Sequence, residues 1–282
     1  MVKKIEPIKR LIFTPATALV EDVNSFWILE GAQSVYRQNL ILPDSYVDLI
    51  INCGAPLCMQ MQSGAYSELP RVYVGHLQTQ VKRLRPMGRT KILAMRLYPW
   101  ALAGLLRNET ACRYQDIAAL NDSWQKLAAA ELHQKMAASQ YTEAVATLQQ
   151  FVCDRRVNLS FSARAVKTAG RLIYDYSGQM SAEVLARKSA LSLRQLERRF
   201  KYFTGVSPKT YARLVRFERF CHMLGENPHS NFALSAAQLG YSDQAHLSHE
   251  VKLFCGVTPT DLVARIWAYT SQAQDDDFLQ DT

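Results

Sequence analysis

The chain has 282 residues, 48% of them hydrophobic, and carries 33 Lys and Arg against 25 Asp and Glu. That apolar fraction excludes wholesale disorder, and the length predicts two domains, each large enough to bury a core. No stretch approaches the run of about 18 apolar residues that a membrane span needs, and Pro7, Lys9 and Arg10 interrupt any apolar segment after the basic start, so a secretory signal is not expected. The six cysteines (Cys53, Cys58, Cys112, Cys153, Cys221 and Cys255) are scattered and read as reduced thiols of a cytoplasmic protein. Only Cys53 and Cys58 lie close in sequence, so no metal site and no cofactor is expected.

In chain order, residues 1–100 read as mostly β. Phe26–Leu29, Tyr46–Ile51, Val72–Val74 and Leu93–Leu97 are short apolar or alternating runs, the last with the pattern of a half-buried strand. Pro43-Asp44, Ser63-Gly64 and Pro86-Met87-Gly88 mark turns. Such strands predict a small barrel or sandwich. Arg83, Arg85, Arg89 and Lys91 read as a solvated strand edge. Met59, Met61, Tyr66, Trp27 and Tyr73 read as core, with an apolar pocket as the alternative.

From Pro99, suited to the first position of a helix, the texture is helical. Asn121 or Asp122 is expected to cap a helix burying Trp124, Leu127, Ala128, Glu131 and Leu132. Thr142 is expected to cap another, with Val145, Leu148, Phe151 and Val152 as its stripe. These stripes serve either internal packing or a dimer interface. Residues 154–160 read as a domain boundary.

The rest carries most of the charge. Residues 161–219 hold 13 basic and 4 acidic residues, net +9, a footprint suited to a polyanion. Residues 220–274 are net −2, and the end adds Asp275, Asp276, Asp277 and Asp281. Within this part Phe203–Pro208 recurs as Phe254–Pro259, an offset of 51 residues. At the same offset Leu185-Ala186 falls on Ala236-Ala237, Leu196 on Leu247, Phe200 on Val251 and Lys201 on Lys252, with no gap.

In the first copy Ser192 and Gln195 form a capping-box pattern, and Leu193, Leu196, Phe200 and Phe203 make the apolar stripe. Arg194, Glu197, Arg198 and Lys201 fall on the opposite face, and Gly205 ends the helix. Ser207 and Pro208 then open a long helix with Tyr211, Leu214 and Leu224 inward and Arg213, Arg216 and Arg219 along its length. A short helix, a tight turn and a second helix with a polar outer face is the helix-turn-helix pattern, whose second helix reads base edges in the major groove.

At these residues the chain resembles the AraC/XylS family of bacterial transcription regulators. The resemblance spans about residues 160–267. It rests on Gly205-Val206-Ser207-Pro208-Lys209-Thr210-Tyr211, on Leu239-Gly240-Tyr241-Ser242-Asp243-Gln244-Ala245-His246-Leu247, and on Gly256-Val257-Thr258-Pro259. It implies two helix-turn-helix motifs joined by one long helix, with both recognition helices in successive major grooves of double-stranded promoter or operator DNA. By position, the DNA-facing residues would be Arg194, Glu197, Arg198 and Lys201, then Gln244, His246, Ser248, His249 and Lys252. Ser192, Leu196, Phe200, Gly205, Pro208, Gly240, Asp243, Leu247, Gly256 and Pro259 would be scaffold. His249 stands where the family usually has Arg, Val251 where it has Phe, and Phe220 where it has a small residue.

The first domain is similar to the cupin-like sensory domains of that family, through Leu42-Pro43-Asp44, Val47–Ile50 and Arg85–Gly88. The expected organisation is α+β in two domains. A sensory or oligomerisation domain (1–157) has a β-barrel over about 1–100 and helices over about 100–156. An all-α DNA-binding domain (158–270) has its motifs at about 182–205 and 233–256, and an acidic tail covers 271–282. The resemblance implies a cytoplasmic, homodimeric activator that meets RNA polymerase and takes a small-molecule effector in its first domain. The alternatives are a first domain that binds only protein, and a cupin-like enzyme with a helical targeting module. Against an enzyme, the first domain offers only His76 and His133 as histidines, and no nucleophile set or phosphate loop is present.

Overall fold

The computed structural model describes residues 9–31, 40–61, 63–105, 117–120, 122–155 and 157–273. Among these described residues ten strands come first: β1 (Lys9–Phe13), β2 (Val23–Gly31), β3 (Leu40–Ile41), β4 (Val47–Asn52), β5 (Leu57–Gln60), β6 (Tyr66–Glu68), β7 (Val72–Gly75), β8 (Lys82–Pro86), β9 (Thr90–Leu97) and, after the first short helix, β10 (Ile117–Ala119). They form two antiparallel sheets, one in the order β1-β2-β9-β4-β7-β10 and one in the order β3-β8-β5-β6. The four strands expected from sequence lie in the larger sheet.

Alternation along the central strands sorts side chains to two cores. Ile50, Tyr73, Ile92 and Ala94, with Trp27 and Leu29, face the smaller sheet and meet Leu57, Met59, Leu69 and Leu84. Phe26, Ile28, Leu49, Ile51, Val72, Val74, Leu93 and Met95 join the main core, shared with the helices. The larger sheet is therefore covered on both faces, and β9, in its centre, is buried at all its residues but the partly buried Lys91 and Arg96, rather than on one face only. Met59 and Tyr73 are core, Trp27 packs against them partly buried, and Met61 is exposed.

A 3-10 turn (Pro99–Ala101) leads into α1 (Leu102–Leu105). Then come α2 (Asp122–Leu127), a π-helical turn (Ala128–Leu132), α3 (His133–Ala137) and α4 (Tyr141–Cys153). The wide π turn carries Glu131 out to solvent. There it meets Lys135 at 3.7 Å, so Glu131 does not join the buried stripe. Helix α4 starts one residue before Thr142, and its N-cap is Gln140 with no side-chain cap bond, so Thr142 is not the cap. Asn121 and the side chain of Asp122 lie outside the described residues. Val145, Leu148 and Val152 are buried in the main core, and the partly buried Phe151 packs edge-on against Trp124, so the α4 stripe packs internally.

The C-terminal part is all helix: α5 (Phe161–Asp175), α6 (Ala182–Lys188), α7 (Leu193–Thr204), α8 (Pro208–Glu226), α9 (Phe232–Gln238), α10 (Gln244–Cys255) and α11 (Pro259–Ala273). Helix α11 extends past the expected start of the acidic tail, whose residues 274–282 lie outside the described residues. Among the described residues, no helix is long and apolar enough to cross a membrane. The described cysteines are all free; Cys112 lies outside the described residues.

Candidate nucleic-acid interface

Helices α6 and α7 form one motif, and α9 and α10 form a second. Ser192 caps α7 as a full capping box, a reciprocal pair of bonds that satisfies two free N–H groups at once. Gln195 N–H donates to Ser192 Oγ at 3.3 Å, and Ser192 N–H donates to Gln195 Oε1 at 3.0 Å. Gly205 ends the helix at φ 83, and its N–H donates to the Lys201 carbonyl. Leu196, Phe200 and Phe203 are buried, while Arg194, Glu197, Arg198 and Lys201 are exposed on the opposite side. Leu193 is exposed too, so the buried row starts at Leu196.

Helix α10 repeats this plan at the same length. Asp243 Oδ1 accepts from His246 N–H at 2.7 Å, which holds the Asp243 carboxyl below its ordinary range. This is the N-cap bond that Ser192 makes in the first copy. Gly256 stops the helix at φ 69. Leu247, Val251 and Phe254 are buried, and Gln244, His246, His249 and Lys252 are exposed. Ser248 is only partly exposed, and its hydroxyl donates back to the Gln244 carbonyl at 2.9 Å, so one of its bonds stays within its own helix. A shallow cleft of about 350 Å³ runs between α10 and the start of α11, lined in part by Gln244, His249, Lys252 and Thr258.

The repeat spacing read from the sequence, 51 residues, holds for α7 and α10 but not for the helices before them. Buried Leu185 and Ala186 of α6 correspond to buried Ser235 and Ala236 of α9, one position earlier than Ala236 and Ala237. The second turn is one residue longer, running through Gly240 at φ 72 to the cap at Asp243.

Helix α8 is the spine of both motifs. Phe200 of α7 meets Tyr211 at 5.7 Å between ring centres, and Phe254 of α10 meets Phe217 at 5.1 Å. Phe220 fits a core position, edge-on to Phe232 of α9 at 5.9 Å. Its arginines are engaged in packing. Arg213 Nε bonds both oxygens of buried Glu250, at 3.1 and 2.8 Å. Arg216 lies over the Tyr241 ring and donates to the Gly240 carbonyl, and Arg219 lies over the Tyr174 ring. On α5, Lys167 pairs with Asp22 and Arg171 with Glu21. The net +9 of residues 161–219 therefore overstates the cations turned to solvent, and sequence reasoning had no signal for these distant partners.

The other basic cluster is likewise engaged. Arg89 and Lys91 pair with Glu30, Arg85 covers the Tyr66 ring and Arg83 donates to Gln60. Glu30 also accepts from the Tyr141 hydroxyl. Burial pushes its carboxyl up, but that bond and the two cations hold it below its ordinary range.

Two capped helices of equal length on a common spine, each with a polar outer row, make a double helix-turn-helix unit of the DNA-binding kind. Residues 185–265 match a helix-turn-helix domain family, and residues 11–113 match a domain of unknown function, DUF6597. The chain thus joins an AraC-type helix-turn-helix domain to a DUF6597 domain, the build of an AraC-family transcription regulator. No curated protein matches it. Among solved structures it is similar to unsaturated fatty acid-bound ToxT from Vibrio cholerae, at 9% identity and a TM-score of 0.45 over 93% of this chain and 97% of that one. It is also similar to the AraC-like transcriptional activator CuxR, at 14% identity and a TM-score of 0.26 over 75% of each chain.

Proposed function

We propose that the chain binds operator DNA with α7 and α10 in successive major grooves and regulates transcription under control of its N-terminal domain. The observation that carries this is the repeated recognition helix: the same length, cap and glycine stop, with exposed Arg194, Glu197, Arg198 and Lys201 in one copy and Gln244, His246, His249 and Lys252 in the other. Arg gives a fork to guanine O6 and N7, Glu accepts from cytosine N4, and Lys at the helix end neutralises phosphate. Residues 158–270 are the DNA-binding unit in this reading, and residues 1–157 the sensory or oligomerisation unit. The protein is not an enzyme, works as a cytoplasmic homodimer and meets RNA polymerase at the promoter.

The test is selection of duplexes from a random pool by the full-length protein, then affinity measurements on the enriched sequence. Arg198→Ala is expected to lose about 1–3 kcal/mol. His249→Ala is expected to lose less, because imidazole lacks the fork of a guanidinium. Failure to enrich any sequence overturns the reading, and equal losses overturn the dominance of the first motif. A second reading, in which the N-terminal domain answers to a protein and not to a small molecule, is favoured by the filled space between the sheets, where Ile50, Leu57, Met59, Tyr73 and Ile92 are buried.

A further inference from the structure

The two halves of the chain are not joined by a linker alone. Trp100, in the 3-10 turn that follows the larger sheet, is 3% exposed and seated against α5. A Cβ at Gly170 would stand 2.2 Å from Trp100 Cε3 and 2.7 Å from Cζ3, so position 170 is glycine because the indole fills the space. The indole N–H donates to the Glu21 carbonyl at 3.0 Å, and the Tyr98 ring stacks on Trp100 at 4.8 Å with 2° between the planes.

The rings continue past the seam. Trp100 meets Tyr211 of α8 edge-on at 6.4 Å, and Tyr211 meets Phe200, in the buried row of recognition helix α7. A second bond holds the same spine: Ser45, ahead of β4, gives its N–H to Glu218 of α8 at 3.1 Å and its hydroxyl to the same carboxylate oxygen. Helix α10 hangs from α8 by Phe217–Phe254 and Arg213–Glu250, contacts made within the C-terminal part.

We propose that the Tyr98–Trp100 joint is the coupling through which the N-terminal domain governs DNA reading, and that it governs the first motif selectively. This rests on the DNA-binding reading above. Trp100 is a positioning residue. Packed interiors switch between discrete arrangements and do not deform smoothly. A shift of the indole off Gly170 therefore moves Tyr211 and Phe200 and tilts α7, while α10 keeps its place on α8.

The test uses the full-length protein with Gly170→Ala, which puts a methyl group in the indole's space and leaves both polar rows untouched. Amide hydrogen exchange is expected to accelerate by about tenfold or more in α7 and to stay unchanged in α10. A footprint on the selected DNA is expected to lose protection over one half-contact only. Adding Trp100→Leu, which makes room for the methyl, is expected to restore both. Equal acceleration in both motifs, no change in either, or no rescue by a folded double variant would overturn the proposal. If Gly170→Ala does not fold, Trp100→Phe, which draws back from Gly170 and drops the Glu21 bond, must give the same selective pattern. If the wild type selects no DNA, the DNA reading fails, and hydrogen exchange alone decides the joint.

Discussion

Arg96 holds two carboxylates at once, Asp44 at 3.0 Å and Asp48 at 2.9 Å. A third, Glu218, is tied to the neighbouring Ser45 from the other side of the seam. Burial raises the Asp44 carboxyl above its ordinary range; the pull of Arg96 opposes this, and the nearby Asp48 and Glu218 add to it. The folded protein then binds that proton more tightly than the unfolded chain does. Stability from this group is greatest at low pH and falls as pH rises through the raised pKa. Between about pH 8 and about pH 6 the wild type is expected to gain stability on acidification, and Asp44→Asn to show a flatter profile. Calorimetric melting temperatures across that range check it, and identical slopes would refute it.

The Arg213–Glu250 pair is what locks α8 to α10. Glu250 is buried, so Arg213→Ala strands a carboxylate and is expected to cost about 3–5 kcal/mol in urea unfolding. Arg213→Leu with Glu250→Leu should recover most of that, because the stranded charge is gone. A single-variant loss below about 1 kcal/mol would refute this. The locking pair also shows where sequence reading stops. The capping box at Ser192, the stops at Gly205 and Gly256 and the buried rows of α7 and α10 are local signals with fixed spacing, and they were legible. Arg213 read as one arginine among several because its partner lies 37 residues on. The turn before Asp243 read as gapless because a single added residue leaves every later match in register. Strands β5 and β6 were missed because they are short and lie in the smaller sheet; β8 read only as a solvated strand edge, because Leu84 alone packs into the core between the sheets, amid basic neighbours.

Across the whole molecule one core runs from the inner face of the larger sheet through α4 to Leu262 of α11. Leu148 lies in it with no exposed surface, so Leu148→Glu buries a charge in apolar surroundings. The expected result is loss of the folded state, with lower soluble yield and a collapsed thermal transition. A well-folded monomer in sedimentation would instead mean that the stripe pairs two copies. The shared core also bears on synthesis. A ribosome adds about 5–20 residues per second, and the earlier part of a chain folds first. Trp100 is made well before Gly170 and Tyr211, so its seat is completed roughly ten seconds after the indole itself. Over that interval the nascent sheet presents a bare aromatic surface, a place for a chaperone to bind or for two growing chains to stick. The first helix-turn-helix motif, as it emerges, closes onto a template that is already waiting.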